Sequence, residues 1–175
     1  MKKEKTIKEN LVFDGKIIKV YDNEVLCPSG NVSSREIITH NGGVCILGFI
    51  DNKVILERQY RYAYDEEIIE LPAGKLEKGE NPIEAAKREF QEETGYKVVE
   101  LEEYGHMYPT CGYSAEIIHL FYASKIEKSE RNLDEDEYID IELIELDKVI
   151  EMINNNIIKD AKTIALISKY VMKKK

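Results

Sequence analysis

The sequence predicts an α/β fold, with strands dominating the first half and about three helices following. Three observations carry this expectation. Short runs rich in β-branched and aromatic residues alternate with Gly, Asn, Asp and Pro turn signals as far as Tyr60, a capped amphipathic segment opens at Pro82, and the last third holds two more apolar repeats at helical spacing. At 175 residues and 43% apolar content, the chain can bury a core of its own, and no shift in composition marks a second independent fold.

The elements follow in order. Lys16–Tyr21, Val25–Cys27 and Arg35–Thr39 read as strands separated by Asp14-Gly15, Pro28-Ser29-Gly30-Asn31 and Asn41-Gly42-Gly43. Val44–Ile50 and Val54–Tyr60 flank Asp51-Asn52, whose tolerance of left-handed backbone suits a hairpin. At Asn81-Pro82-Ile83-Glu84 the sequence starts a helix, with Asn81 as N-cap, Pro82 first in the helix and Glu84 reaching back; Gly95 stops it. Ile117–Ala123 and Tyr138–Ile144 are β-like, and Leu146–Asn154 and Ala161–Met172 carry helical spacing. The polar stretch Glu127–Glu137 reads as a mobile loop, and Lys173–Lys175 as a solvated tail.

Composition narrows the function classes. No apolar run approaches the roughly 18 to 20 residues that cross a bilayer, and Met1–Asn10 is charged without the apolar stretch of a signal peptide, so a cytoplasmic protein with no membrane partner is expected. Three widely spaced cysteines, Cys27, Cys45 and Cys111, fit reduced thiols better than a disulfide framework or a zinc site. A net charge of −9 argues against nucleic acid, whose binding depends on Lys and Arg releasing counterions. A phosphate-bearing substrate would need the local field reversed, and a divalent cation is the usual device.

The helix from Pro82 to Thr94 is where that device fits. Ile83, Ala86, Phe90 and Thr94 form its apolar stripe, with Glu89, Glu93 and, further round, Glu92 beside it. Carboxylates so placed repel one another, lose solvation, and sit at the helix end whose dipole disfavours negative charge. A merely solvated Glu-rich face, countered by Lys87 and Arg88, is the alternative. The strong capping signal favours a cation, and hard oxygen ligands suit Mg²⁺ or Mn²⁺.

The spacing of Gly74, Glu80, Arg88-Glu89-Phe90, Glu92-Glu93 and Gly95-Tyr96 resembles the Nudix box, with every defined position filled. Arg58-Gln59-Tyr60-Arg61, Glu70-Leu71-Pro72-Ala73-Gly74, Gly112-Tyr113-Ser114-Ala115-Glu116 and Asp160-Ala161-Lys162-Thr163 further resemble the ADP-ribose pyrophosphatase-like subgroup. That resemblance implies an α/β/α sandwich around a mixed sheet, residues 43–175, preceded by an antiparallel β region, residues 1–42, that joins two subunits. The implied activity is metal-dependent hydrolysis of the diphosphate of a nucleoside diphosphate sugar, ADP-ribose foremost. Another sugar nucleotide such as GDP-mannose, a flavin dinucleotide, or a non-hydrolytic ligand sensor are the alternatives. Where the subgroup shows Ser-Pro-Gly, this chain has Thr110-Cys111-Gly112, which leaves the sugar open.

The resemblance also implies roles. Glu89, Glu93 and the Ala73 carbonyl would hold the metal, with Glu92 assisting. Arg88 would orient the carboxylates, Glu80 would tie the loop to the helix, and Gly74 would allow close approach of the backbone. The general base would be Glu137 or Glu135, with Glu92 or Glu93 as alternatives. Arg61 would meet the diphosphate, and Arg35 the nucleobase across the subunit boundary.

Overall fold

The structure, a computed structural model, describes residues 2–174; Met1 and Lys175, the last residue of the lysine tail, lie outside them. Two compact units are present: residues 2–42 with Tyr108–Ile117, and Gly43–Met107 with the chain from Ile118 onward.

The first unit is an antiparallel sheet of β1 (Lys5–Lys8), β2 (Leu11–Asp14), β3 (Lys19–Leu26) and β4 (Val32–Thr39). Strand β3 is its axis, pairing with β4 along its whole length and with β1 and β2 in succession on the other edge. The amino-acid pattern alone breaks this strand between Tyr21 and Val25 and gives no sign of β1 and β2. Asp22, Asn23 and Glu24 are poor strand formers, yet each has a ladder partner on β4, respectively Glu36, Arg35 and Ser34. Every residue of β1 and β2 is exposed, so neither has a buried face to impose an apolar alternation. Tyr113 and Ala115 close onto β4, where the Ile38 amide donates to the Tyr113 carbonyl at 2.8 Å and the Ala115 amide to the Ile38 carbonyl at 2.9 Å.

The second unit starts with the expected hairpin, β5 (Gly43–Ile50) and β6 (Lys53–Arg61), turning at Asp51 and Asn52 with φ of 48° and 65°. Its strands pair only at Phe49–Val54 and Ile50–Lys53 and then part. Into the opening come β7 (Glu66–Glu70), paired with β6, and β8 (Ala73–Lys75), paired with β5. Outside them, β10 (Ile118–Lys128) runs parallel to β5, β9 (Tyr96–Met107) antiparallel to β10, and β11 (Ile139–Glu145) antiparallel to β6. The result is a mixed seven-stranded sheet.

Helices cover both faces of this sheet. Val44, Ile46, Ile55 and Phe121 pack with Ala85, Ala86 and Phe90 of α1 (Pro82–Thr94). The alternate residues Cys45, Leu47, Val54 and Leu56 pack on the other face with residues of α2 (Leu146–Asn154) and α3 (Ala161–Lys173). Burial on both faces is why β5 and β6 read as continuous apolar runs. The expected α/β/α sandwich with a mixed sheet and an antiparallel region before it is therefore borne out.

Local chemistry sets the helix ends. Asn81 Oδ1 accepts from the Ile83 amide at 2.8 Å, and Gly95 takes the left-handed C-terminal position at φ 75°. Glu84 pairs with Lys87 at 2.9 Å instead of reaching back to the cap as expected. Asp160 caps α3 through the Thr163 amide at 2.9 Å, and the Thr163 hydroxyl accepts from the Leu71 amide at 2.8 Å, fixing the helix to the end of β7. The polar segment expected to be a mobile loop is instead tethered to the end of α1. Ser129 donates to the Gly95 carbonyl at 2.8 Å, and Asn132 to the Glu92 carbonyl at 3.0 Å. Among the described residues, no helix is long and apolar enough to cross a membrane.

Candidate active site

The C-terminal half of α1 faces the opening between β5 and β6. Glu93 is on the core-facing stripe itself, only 3% exposed, and its Oε2 accepts from the Ala73 amide at 3.0 Å. One turn earlier, the Glu89 carboxyl lies against Gly74, where a Cβ would collide with it. A glycine is thus required at 74 by close approach, whatever its backbone angles.

Arg88 organises the outer side of this group. Its guanidinium binds both oxygens of Glu80, at 3.0 and 3.1 Å, and reaches Glu89 and Glu92 at 3.0 Å each. Glu80 also accepts from the Glu77 amide at 2.9 Å, so the loop before the helix is held by the same arginine. Arg131, from the tethered segment, donates to the Glu93 carbonyl and, at 2.7 Å, to the Ile139 carbonyl. It thereby supplies the cation that the last turn of α1 lacks in its own sequence.

Of the proposed bases, Glu137 is half-buried, and its charge acts on Glu57, Glu89 and Glu93; Glu135 is exposed on the same turn. Arg61 donates through Nε to Glu70 at 2.6 Å and is 39% exposed, its other nitrogens making no hydrogen bond among the described residues. Glu70 is a buried hub that also receives Lys162, whose ammonium reaches Asp160 at 3.0 Å. Arg35 belongs to the first unit, where Glu4 and the Ser34 carbonyl engage it.

Glu57, Glu70, Arg131 and Lys162 were given no role from the sequence, although Glu70 and Lys162 stand in two of the segments that carry the subgroup resemblance. Glu57 had a signal: it stands two residues after Ile55 on the core face of an apolar strand, where a charge is costly. Arg131 had none, being one charge within a polar run.

Burial dominates the electrostatics. It raises the pKa of Glu93, and the charges of Glu57, Glu89 and Glu137 add to the rise. Burial, then Glu70, raises Glu57 likewise; burial raises Glu89 against the opposing pull of Arg88. No three His, Cys, Asp or Glu side chains among the described residues form a ready-made metal cage. What the arrangement provides is anchored carboxylates beside a backbone step, with ionisation disfavoured unless positive charge is brought in.

On the capped helix α1, the buried carboxyl of Glu93 and the half-buried carboxyl of Glu89 are braced by an arginine and set against a glycine step. The chain belongs to the Nudix family, with residues 39–167 matching the NUDIX domain, and is a Nudix hydrolase. It is 40% identical over 167 residues to a methanol dehydrogenase activator of Bacillus methanolicus, covering 94% of this chain and 90% of that protein. It is 39% identical over 163 residues to an ADP-ribose pyrophosphatase of Bacillus subtilis (strain 168), covering 91% and 88%. A GDP-mannose pyrophosphatase of Cronobacter sakazakii is 33% identical over 144 residues, covering 76% and 75%. A solved ADP compounds hydrolase shares the fold, with a TM-score of 0.88 over 98% of this chain and 94% of that one at 18% identity.

The raised carboxyl pKa values make stability depend on pH. Folded Glu57, Glu89 and Glu93 hold protons more tightly than in the unfolded chain, where the value is near 4.5, so their contribution is full below that value and lost as the pH climbs above it. Arg131 and Lys162 moderate the loss at Glu57, while Glu70 and Glu137 deepen it. In chelator, Tm should fall from about pH 6 to about pH 9. A Tm flat across that range would contradict the assignment of these shifts.

Proposed function

We propose that the protein hydrolyses the diphosphate of a nucleoside diphosphate sugar, converting ADP-ribose to AMP and ribose 5-phosphate, in the cytoplasm and as a homodimer. The observation that carries this reading is the likeness to an ADP-ribose pyrophosphatase across nearly the whole of both chains, at 39% identity, combined with the buried Glu93 and half-buried Glu89 of α1.

The residues fit a divalent cation, Mg²⁺ with Mn²⁺ as a substitute. Glu89 and Glu93 are anchored against Gly74 and Ala73, and Glu57, whose charge acts on Glu93, has a buried oxygen with no hydrogen-bond partner. Glu89, Glu93 and the Ala73 carbonyl would hold the ion, with Glu92 assisting. Such an ion neutralises diphosphate oxygens and lowers the pKa of water.

The chain's own residues do the rest. Arg61, steadied by Glu70, offers its terminal nitrogens to the diphosphate. Glu137, its charge already felt by Glu89 and Glu93, takes a proton from the attacking water; Glu135, Glu92 and Glu93 are the other candidates. Arg88 and Glu80 keep α1 and its preceding loop in register. Arg35 is assigned to the nucleobase of the partner subunit's site.

Dimerisation draws support from the first unit, which exposes Leu11, Val12, Phe13, Ile17, Leu26 and Val32. A groove on it is lined by Val12, Val20, Tyr21, Ile37, Ile38 and Tyr113. A second copy covering these residues would remove an apolar patch that a monomer leaves in water.

In a substrate panel with Mg²⁺, kcat/KM for ADP-ribose should exceed that for ADP-glucose, GDP-mannose and diadenosine diphosphate by about tenfold or more, equivalent to roughly 1.4 kcal/mol. GDP-mannose equal to or above ADP-ribose would overturn the substrate and leave the hydrolase class intact. Light scattering should give a mass near twice 20.2 kDa; a fully active monomer would remove the dimer and the role of Arg35.

A further inference from the structure

Glu57 is the one buried side chain among the described residues with an oxygen, Oε1, that has no hydrogen-bond partner. The residue is 2% exposed, in the middle of β6. An orphaned polar atom so deeply buried is costly and rare enough to need a reason.

The direction of the side chain follows from the strand. Residues two apart share a face, and Ile55 packs in the α1 cluster, so Glu57 points to the α1 side. Its neighbour on β11, Ile141, packs against that same cluster. Across β7 its ladder partner is Glu70, whose carboxylate is already satisfied by Arg61 and Lys162. On the α1 side, the buried residue one turn beyond Phe90 is Glu93, and Glu57 is the foremost charge acting on it. A carboxyl with a free oxygen therefore lies on the α1 side of β6, where its charge acts on Glu93.

We propose that Glu57 is an additional cation-binding carboxylate, whose free oxygen joins Glu89 and Glu93 in holding the divalent ion. This rests on the cation reading of the site given above. It explains why an acid occupies a strand position at which an apolar residue would otherwise complete the core. Protonated and without an ion, Glu57 would be an unused polar group, which the glutamine variant mimics in shape and charge.

Chelated wild-type protein, Glu57→Gln and Glu57→Val should be titrated with Mn²⁺ by electron paramagnetic resonance and melted with and without Mg²⁺. Both variants are expected to bind Mn²⁺ about tenfold or more weakly than wild type and to gain less Tm from Mg²⁺. In chelator, Glu57→Val should melt above wild type, because the unpaired carboxyl is gone. Mn²⁺ affinity and Mg²⁺-induced Tm gain unchanged in Glu57→Gln would overturn the proposal, since that variant retains the size of the side chain. Failure of wild type itself to bind Mn²⁺ would overturn this inference together with the cation reading, whereas binding unaffected by Glu57 would overturn this inference alone.

Discussion

The burial of Glu93 at the C-terminal, core-facing end of α1 constrains everything around it. An ionised carboxylate removed from water costs several kcal/mol even after relaxation, against a total stability on the order of 5 to 15 kcal/mol for a domain. Glu57 is buried and acts on it from β6, Glu89 is half-buried one turn earlier, and the dipole of α1 opposes the charges of Glu89 and Glu93. The fold can therefore carry these charges only with compensation, and the surrounding residues are arranged to provide it in part. The Ala73 amide faces Glu93, Arg88 faces Glu89, and Arg131 faces the end of the helix.

That compensation depends on the topology. Because β5 and β6 stay paired for only two residue pairs, β7 and β8 can enter between them and bring Leu71 to Gly74 beneath α1. Asp160 and Thr163 then pin the end of β7 to the start of α3, so the step at Ala73 and Gly74 is fixed from both faces of the sheet. Gly74 has no room for a side chain because the Glu89 carboxyl already fills it. A site built on packed strands and a capped helix is held more tightly than one on loops.

The helices, the Asp51-Asn52 hairpin and the box glutamates were legible because each has a local cause: a cap, a turn residue, a repeat of apolar positions. Strands β1 and β2 were not, since all their residues are exposed and only the ladder with β3 holds them. The polar Glu127–Glu137 stretch looked mobile because nothing in its own composition reveals that the carbonyls at the end of α1 will accept its amides and Arg131. Glu70 and Lys162 pair across 92 residues of chain, and no local pattern encodes a contact of that separation. Glu57 was the readable miss: a charge set into the inward face of an apolar strand stands out in the amino-acid sequence alone.

The cation site proposed at the carboxylates of α1 and the backbone step at Ala73 is open to direct observation. Anomalous diffraction from crystals grown with Mn²⁺ locates such an ion directly. A strong peak is expected within about 2.0 to 2.3 Å of oxygens from Glu89, Glu93 and the Ala73 carbonyl. A fully active enzyme whose Mn²⁺ peaks lie elsewhere, with Glu89 and Glu93 free of metal, would contradict it.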